Sequence, residues 1–324
     1  MICHSCLREQ DKEGYCRKCL KELFDGAKID PILPFRSPTT EKSDLYHTLT
    51  SRMSISGVQP KFSLRRERGQ LVLTPARGEY ILKPVPTGLF QHLDQVPFNE
   101  HLTMQIARQV FGIDVPPNAV VRFSDGNPAY LVRRFDVKPD GTRYQQEDFA
   151  QVAGITEETH GSNYKYELSY EEIGTLIKKH IPMHQVETEK FLRMVLFNYI
   201  FSNGDAHVRN FSMMRTHAGD QVLTPAYDLL CTRLHAPGES DMALTLFRDG
   251  FSADYEKIGF YTRIDFILFG KKLGIREPRV RKIIDDLLKH GEQVGQLVER
   301  SFLREDIRIG YHAHYKDKLG RIIK

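Results

Sequence analysis

The sequence predicts an α+β chain of two lobes preceded by a small cysteine-bearing module. Between Phe62 and Phe135, short runs of alternating apolar residues are separated by turn signals. After Gly141 the pattern changes to helical periodicity. A β-rich half followed by an α-rich half is the α+β pattern. Ahead of both, four of the five cysteines fall in the first 19 residues, and Pro31, Pro34 and Pro38 then mark a boundary. The expected division is a module over residues 1–30, a linker or arm over 31–50, a β-rich lobe over 51–140 and a helical lobe over 141–324.

Bulk properties leave several classes aside. The chain has 324 residues, 40% hydrophobic and 27% charged, an ordinary globular composition. Lys and Arg number 46 against 42 Asp and Glu, a net charge of +4 that does not by itself demand nucleic acid. No segment is long and apolar enough to span a membrane. The first ten residues, MICHSCLREQ, lack the apolar core of a signal peptide, so a cytoplasmic protein is expected.

The cysteines form two pairs, Cys3-x2-Cys6 and Cys16-x2-Cys19. Two such knuckles suit a tetrahedral Zn2+ site, and a reducing cytoplasm disfavours disulfides. Incidental thiols or a redox pair are the plainer alternatives, and His4 could replace one cysteine. Four thiolates leave no open position, so the expected role of the metal is structural. Cys231 stands alone and reads as a small buried apolar residue.

The β-rich lobe begins with Phe62–Leu64, Gln70–Leu73 and Tyr80–Pro84, expected as an antiparallel meander. A hairpin follows, Ala119–Phe123 and Ala129–Phe135, joined at Asp125-Gly126-Asn127. Between them lies a helix from Pro97 to Gly112, with proline near its start and glycine past its end. Later helices are expected at about Glu147–Val152, Tyr170–His180, Glu187–Ser202, Ile264–Leu273, Pro278–Lys289 and Gln293–Phe302, with short strands at Phe211–Met214 and Val222–Thr224.

The chemistry concentrates in Phe201–Asn210, directly after a helix apolar on nearly every side. Asp205 and Asn210 have the Asp-x4-Asn spacing of a kinase catalytic loop, in which the Asp orients the attacking hydroxyl and the Asn holds Mg2+. His207 lies between them. Asp228, 18 residues after Asn210, is placed for a second Mg2+ ligand, or simply for a cap. Lys83 ends an apolar strand and could reach nucleotide phosphates, or snorkel to the surface. Glu100 shares a stripe with Met104, Ala107 and Phe111 and so faces the core, where it could steady Lys83, or simply be an acid favoured by the helix N-terminal dipole. The small polar stretch Ser54–Lys61 before the first strand could cover phosphates, or be a plain turn.

Taken together these segments resemble the HipA family of bacterial toxin kinases. The matching pieces are SISGVQPK (Ser54–Lys61), ILKP (Ile81–Pro84), NEHLTMQIA (Asn99–Ala107), LVRRFD (Leu131–Asp136), QEDFAQ (Gln146–Gln151), FNYIFSNGDAHVRNFS (Phe197–Ser212) and AYDLL (Ala226–Leu230), in the family's order. The resemblance implies a two-lobed protein-kinase-like fold and ATP- and Mg2+-dependent serine/threonine phosphorylation. The implied target is an aminoacyl-tRNA synthetase, whose modification stops translation. It makes Asp205 the catalytic aspartate, Asn210 and Asp228 the Mg2+ ligands, Lys83 the phosphate-binding lysine and SISGVQPK the glycine-rich loop; Ser56, Gly57, Val58, Gln59, Glu100 and His207 are expected to complete the ATP site, His207 by shaping the catalytic loop. It also implies inactivating autophosphorylation on Ser54 or Ser56. The loop sequence is most similar to the HipT type, whose partners are a HipS-like small protein and a DNA-binding HipB-like antitoxin; contact with DNA would then be indirect. The cysteine module is outside that pattern. Two other readings stand beside this one, a small-molecule kinase with the same loop spacing, and a non-catalytic scaffold or DNA-complex member using the basic cluster Arg276, Arg279, Arg281 and Lys282.

Overall fold

Alternation along the strands decides what each face of the principal sheet meets. In the computed structural model, which describes residues 1–38 and 59–323, the strands are β1 (Phe62–Glu67), β2 (Gln70–Leu73), β3 (Tyr80–Pro84), β4 (Asn118–Arg122) and β5 (Pro128–Arg133). All pairings are antiparallel, in the order β2-β1-β3-β5-β4. The first three strands are therefore not a meander: β1 lies between β2 and β3, because the chain from β2 passes over to its far side. Ser54, Ser56, Gly57 and Val58 lie outside the described residues.

One face of this sheet carries Phe62, Leu64, Leu82, Phe123 and Leu131, all buried. They share a core with residues of the N-terminal segment, including Leu23 and Phe24 of helix α1 (Arg17–Phe24). A module too small for its own core thus borrows the back of the sheet. The same segment covers the sheet's edge strand. Val120 N donates to His4 O at 2.9 Å, Arg122 N to Pro31 O at 2.8 Å, and Leu33 N to Arg122 O at 2.7 Å. An open edge would leave those groups unpaired.

The opposite face presents Val120, Tyr130 and Val132 to the main core, together with helix α2 (Val96–Gln109). Every residue of α2 from Val96 to Ala107 is buried, so the expected stripe Glu100, Met104, Ala107 is only part of what it hides.

The second lobe is built on α3 (Phe149–Ala153), α4 (Glu157–His160), α5 (Tyr170–His180), α6 (His184–Ile200), α7 (Ala253–Ile258), α8 (Arg263–Lys272), α9 (Glu277–Leu287), α10 (Gly291–Arg300) and α11 (Glu305–Ile323). Strands β6 (Gln146–Asp148), β7 (Ser212–Arg215) and β8 (Gln221–Leu223) form a small antiparallel sheet in that order. The helix expected from Glu147 starts later. Glu147 pairs with Met213, and Asp148 caps α3 reciprocally with Gln151, both bonds at 2.9 Å. Helix α11 had no counterpart among the expected elements. Its buried stripe, Ile307, Tyr311, Tyr315, Lys318 and Ile322, mixes tyrosines and a lysine and has weak apolar contrast. Tyr311 and Tyr315 nonetheless pack on Phe201, with ring centroids 6.1 and 5.0 Å away. Among the described residues, no helix is long and apolar enough to cross a membrane.

The α8–α9 contact is tight enough to test. A Cβ on Gly270 would sit 2.5 Å from Val280 Cγ2 and 3.2 Å from its Cβ. Overpacking costs about 1–3 kcal/mol, against at most ~1 kcal/mol gained in helix propensity. Gly270→Ala is expected to lower the urea midpoint at unchanged slope, by about 1 kcal/mol of stability. A midpoint at or above that of the parent would contradict this packing.

Candidate active site

Helix α6 ends inside the core, and the loop that follows is fixed by side chains on every flank. Ser202 takes a left-handed φ of 51°, turning the chain out of the helix. Asn203 then acts as a staple. Its amide donates to Asn198 Oδ1 at 2.8 Å and Asp228 O at 3.2 Å, and its Oδ1 accepts from Asp205 N at 3.3 Å. Gly204 N donates to Thr232 Oγ1 at 2.7 Å. A Cβ at Gly204 would lie 2.5 Å from Ser240 O and 2.7 Å from Glu239 Cδ, so glycine is required by close approach. Tyr170 OH of α5 donates to Ala206 O at 2.8 Å, and Tyr227 OH to Arg209 O at 2.9 Å.

Asp205 is partly buried, and its Oδ1 accepts from Tyr166 OH at 2.9 Å. His207 is buried at the cleft wall. Burial, reinforced by nearby Lys165, pushes its imidazole down to about 3, so it is neutral at ordinary pH. Its backbone N–H donates to Asn210 Oδ1 at 3.2 Å, and Asn210 Nδ2 donates to Asp228 Oδ2 at 3.3 Å. Arg209 pairs with Asp148, the cap of α3, at 3.1 Å, and donates to Tyr164 OH at 3.0 Å.

Across the cleft, Lys83 projects from β3 with Ile81, opposite the face that buries Leu82. Its Nζ lies 2.5 Å from Glu100 Oε1 of α2 and also bonds Asp228 Oδ1. Lys61 approaches Asp228 Oδ2 at 3.6 Å. Burial would push Asp228 up, but Lys61 and Lys83 outweigh it and hold the carboxyl well below the usual carboxylate range. Burial lowers Lys83 in turn, and the two acids overcome this and raise it. Glu100 is raised by burial despite Lys83. Asp228 itself sits at a φ of 56°, a left-handed conformation that aspartate tolerates better than most residues. Gln59, the described end of the expected phosphate loop, donates to Pro84 O at 2.9 Å. Lys61, Lys83, Glu100, His207, Asn210 and Asp228 line one cavity of about 1550 Å³ between the lobes.

The structure thus brings Lys83, Glu100, Asn210, Asp228 and His207 to one cavity, next to the loop that carries Asp205. Asn210 and Asp228 each carry a hard oxygen donor, and the two side chains meet where Asn210 Nδ2 donates to Asp228 Oδ2. That fits Mg2+, which takes one or two protein oxygens and keeps the rest for water and phosphate. Behind the sheet, the sulfur atoms of Cys3, Cys6, Cys16 and Cys19 all lie within 4.8 Å of one another. Cys6 Sγ and Cys16 Sγ are 3.8 Å apart. Thiolates about 2.3 Å from a tetrahedral Zn2+ are about 3.8 Å from each other, so the set fits zinc.

Residues 53–294 match the family model described as HipA-like C-terminal domain. The chain belongs to this family. A Haemophilus influenzae protein named "Putative kinase" is 29% identical over 314 residues, covering 90% of this chain and 87% of its own length. The serine/threonine-protein kinase toxin HipA of Shewanella oneidensis is 25% identical over 288 residues, 83% of this chain and 62% of the toxin. Among solved structures, the HipA fold of Shewanella oneidensis, determined with HipB and operator DNA, superposes with a TM-score of 0.60 at 23% identity, over 83% of this chain and 63% of that one. The Helicobacter pylori proinflammatory kinase CtkA gives 0.52 at 14% identity, over 84% of this chain and 96% of its own. The α+β architecture, an antiparallel sheet joined to a helical lobe, is therefore shared with HipA and CtkA.

Several contributors to this HipA-like cleft were not singled out from sequence. Lys61 closes the SISGVQPK segment, and its position one residue before an apolar strand was the available signal. Asp148 could have been found from its Asp-x2-Gln cap spacing. Tyr166 lies 39 residues from Asp205, and nothing local announces their contact.

Two measurements test the electrostatics. Lys83→Met leaves the buried Glu100 carboxylate facing the partly buried Asp228 and is expected to cost about 3 kcal/mol in denaturant unfolding. Adding Glu100→Gln is expected to recover part of that loss, and strict additivity of the two changes would refute the coupling. Burial pushes Glu239 up to about 7, against partial relief from Thr232. An acid raised in the folded state contributes stability that is present below its unfolded value near 4.5 and is lost as pH rises through 7. Glu239→Gln should therefore flatten the fall in urea midpoint between about pH 5 and pH 8; an unchanged slope would remove Glu239 from that role.

Proposed function

We propose that this HipA-like protein is an ATP- and Mg2+-dependent serine/threonine protein kinase and the toxin of a bacterial type II toxin–antitoxin pair. The observation that carries the reading is the convergence of Lys83, Glu100, Asn210 and Asp228 on one interlobe cavity beside the Asp205 loop. Each has the chemistry that phosphoryl transfer needs, which is mainly positioning and charge. The metal offsets negative charge on the phosphates when nucleotide is bound.

In this mechanism Asn210 and Asp228 would hold the ion. Lys83, steadied by Glu100, takes phosphate oxygens in place of Asp228. Neutral His207 holds the loop closed through its backbone bond to Asn210. Asp205 orients the acceptor hydroxyl and takes its proton as the oxygen bonds the γ-phosphorus and ADP leaves. Tyr166 OH already shows that a hydroxyl can sit at hydrogen-bond distance from this carboxylate. The acceptor is proposed to be a translation protein of the aminoacyl-tRNA synthetase class. A HipB-like antitoxin and a HipS-like small protein are the proposed partners, with DNA reached only through the antitoxin. Ser54 or Ser56 is the proposed autophosphorylation site, where about −1.5 to −2 of added charge would compete with nucleotide phosphates. The cysteine cluster is proposed to hold Zn2+ structurally.

The basic cluster offers less to the DNA-binding alternative than its sequence suggested. Arg279 is paired with Glu189 at 2.6 Å and Arg281 with Glu277 at 2.7 Å. A small-molecule kinase remains the rival enzyme, and the substrate test decides between them.

Asp205→Asn is expected to lower phosphate incorporation into protein substrate by about 10²–10⁴-fold. Phosphoproteomics after brief expression of the parent and this variant should give target sites present only with the parent. Phosphorylated small alcohols without protein sites would favour the rival. Intact mass of the two purified proteins tests self-modification, since equal phosphate counts on both would rule it out.

A further inference from the structure

Helix α2 carries Glu100, and its next residue looks the other way. His101 is buried, and its Nε2–H donates to Ser5 O at 2.7 Å. Ser5 lies in the turn between Cys3 and Cys6. All three backbone carbonyls of residues 4–6 are taken by the β-rich lobe. His4 O accepts from Val120 N at 2.9 Å, Ser5 O from His101, and Cys6 O from Gln109 Nε2 at 3.0 Å. Ser5 Oγ also donates to Asn118 O at 2.7 Å. One cysteine turn therefore grips α2 near its middle and at its last residue, and β4 beside it.

That grip depends on the shape of the turn. Among the described residues, the first helix starts only at Arg17, and the stretch before it has a single isolated bridge, Ile2 with Glu9. The direction of the three carbonyls is thus set by a short loop with little regular structure of its own. A tetrahedral ion joining Cys3 and Cys6 to Cys16 and Cys19 would fix that loop to the start of α1. The contact also extends to the helical lobe, where the His4 ring meets Phe302 at 5.2 Å and His101 meets it at 6.3 Å.

We propose that the four-cysteine cluster is a Zn2+ site whose occupancy sets the position of α2, and through Glu100 and Lys83 the affinity of the cleft for nucleotide. The effect on α2 stands on the contacts above. The effect on nucleotide rests on the kinase reading, and the two are measured separately.

The full chain is purified, and its zinc content is measured before and after chelation and in the double variant Cys6→Ser/Cys16→Ser. Amide exchange is followed in α2 and, as a control for folding, in α9. Binding of a non-hydrolysable ATP analogue with Mg2+ is measured in parallel. The expected result is one zinc per chain in the parent. On zinc loss, exchange in α2 should rise and the nucleotide Kd should weaken, each by about tenfold, with α9 unchanged. His101→Phe should keep its zinc and reproduce the faster α2 exchange. Failure to take up added Zn2+ overturns the proposal, as does a disulfide-bonded protein or equal α2 exchange with and without metal. If the cysteine variant unfolds, seen as lost protection in α9, His101→Phe decides, and unchanged α2 exchange in it overturns the proposal. A parent that holds zinc and a protected α2 but binds no nucleotide would sink the kinase reading and leave the metal's hold on α2 standing.

Discussion

Lys83 is the charge on which the two lobes meet. It is buried between one carboxylate from α2 and one from the segment after β8. A buried ammonium alone is costly, and a buried carboxylate no less so. Each of the three is tolerable only in the presence of the others, so the sheet, α2 and the Asp228 segment are placed relative to one another by electrostatic necessity. Lys61 brings the local sum to two positive and two negative groups. A neutral cluster of this kind accepts a dication comfortably only when an anion arrives with it. Under the kinase reading, that is the character of a metal nucleotide.

Helix α2 distributes this constraint through the molecule by an unusual use of polar residues. Asn99 exchanges bonds with the backbone of Cys231 in both directions, at 2.9 and 3.0 Å. Glu100 takes Lys83, His101 takes the cysteine turn, and Thr103 bonds Tyr311 of α11 at 2.9 Å. Four side chains within one and a half turns reach four separate parts of the fold. Buried polar groups are expensive unless matched, and matched groups specify a unique arrangement. The helix behaves as a registry element more than as an apolar filler.

Much of the β-rich lobe was legible because its signals are local. Strand alternation, the Asp125-Gly126-Asn127 turn and the proline and glycine flanking α2 each act over a few residues. Periodicity alone turned Glu100 inward, Lys83 was singled out as the end of an apolar strand, and the structure joins the two. What stayed hidden depends on distant partners. The place of β1 between β2 and β3 follows from pairing with β3, and β6 exists only because β7 lies beside it. Helix α11 is held by Phe201 and by Asp241, which lies 80 residues before its partner Arg321, and its own stripe has weak apolar contrast. Lys61 and Tyr166 reach the site by folds of the chain that no short window contains.

The N-terminal segment's place behind the sheet separates two ideas of a domain. The family model covers residues 53–294. A chain trimmed to those limits would keep every cleft residue discussed above, yet it would turn Phe62, Leu64, Phe123 and Leu131 toward water and take Tyr311 and Tyr315 from beneath Phe201. Recurrence in a family traces what has been inherited together; cooperative folding traces what is buried together. In this protein the buried unit is wider than the matched family segment at both ends.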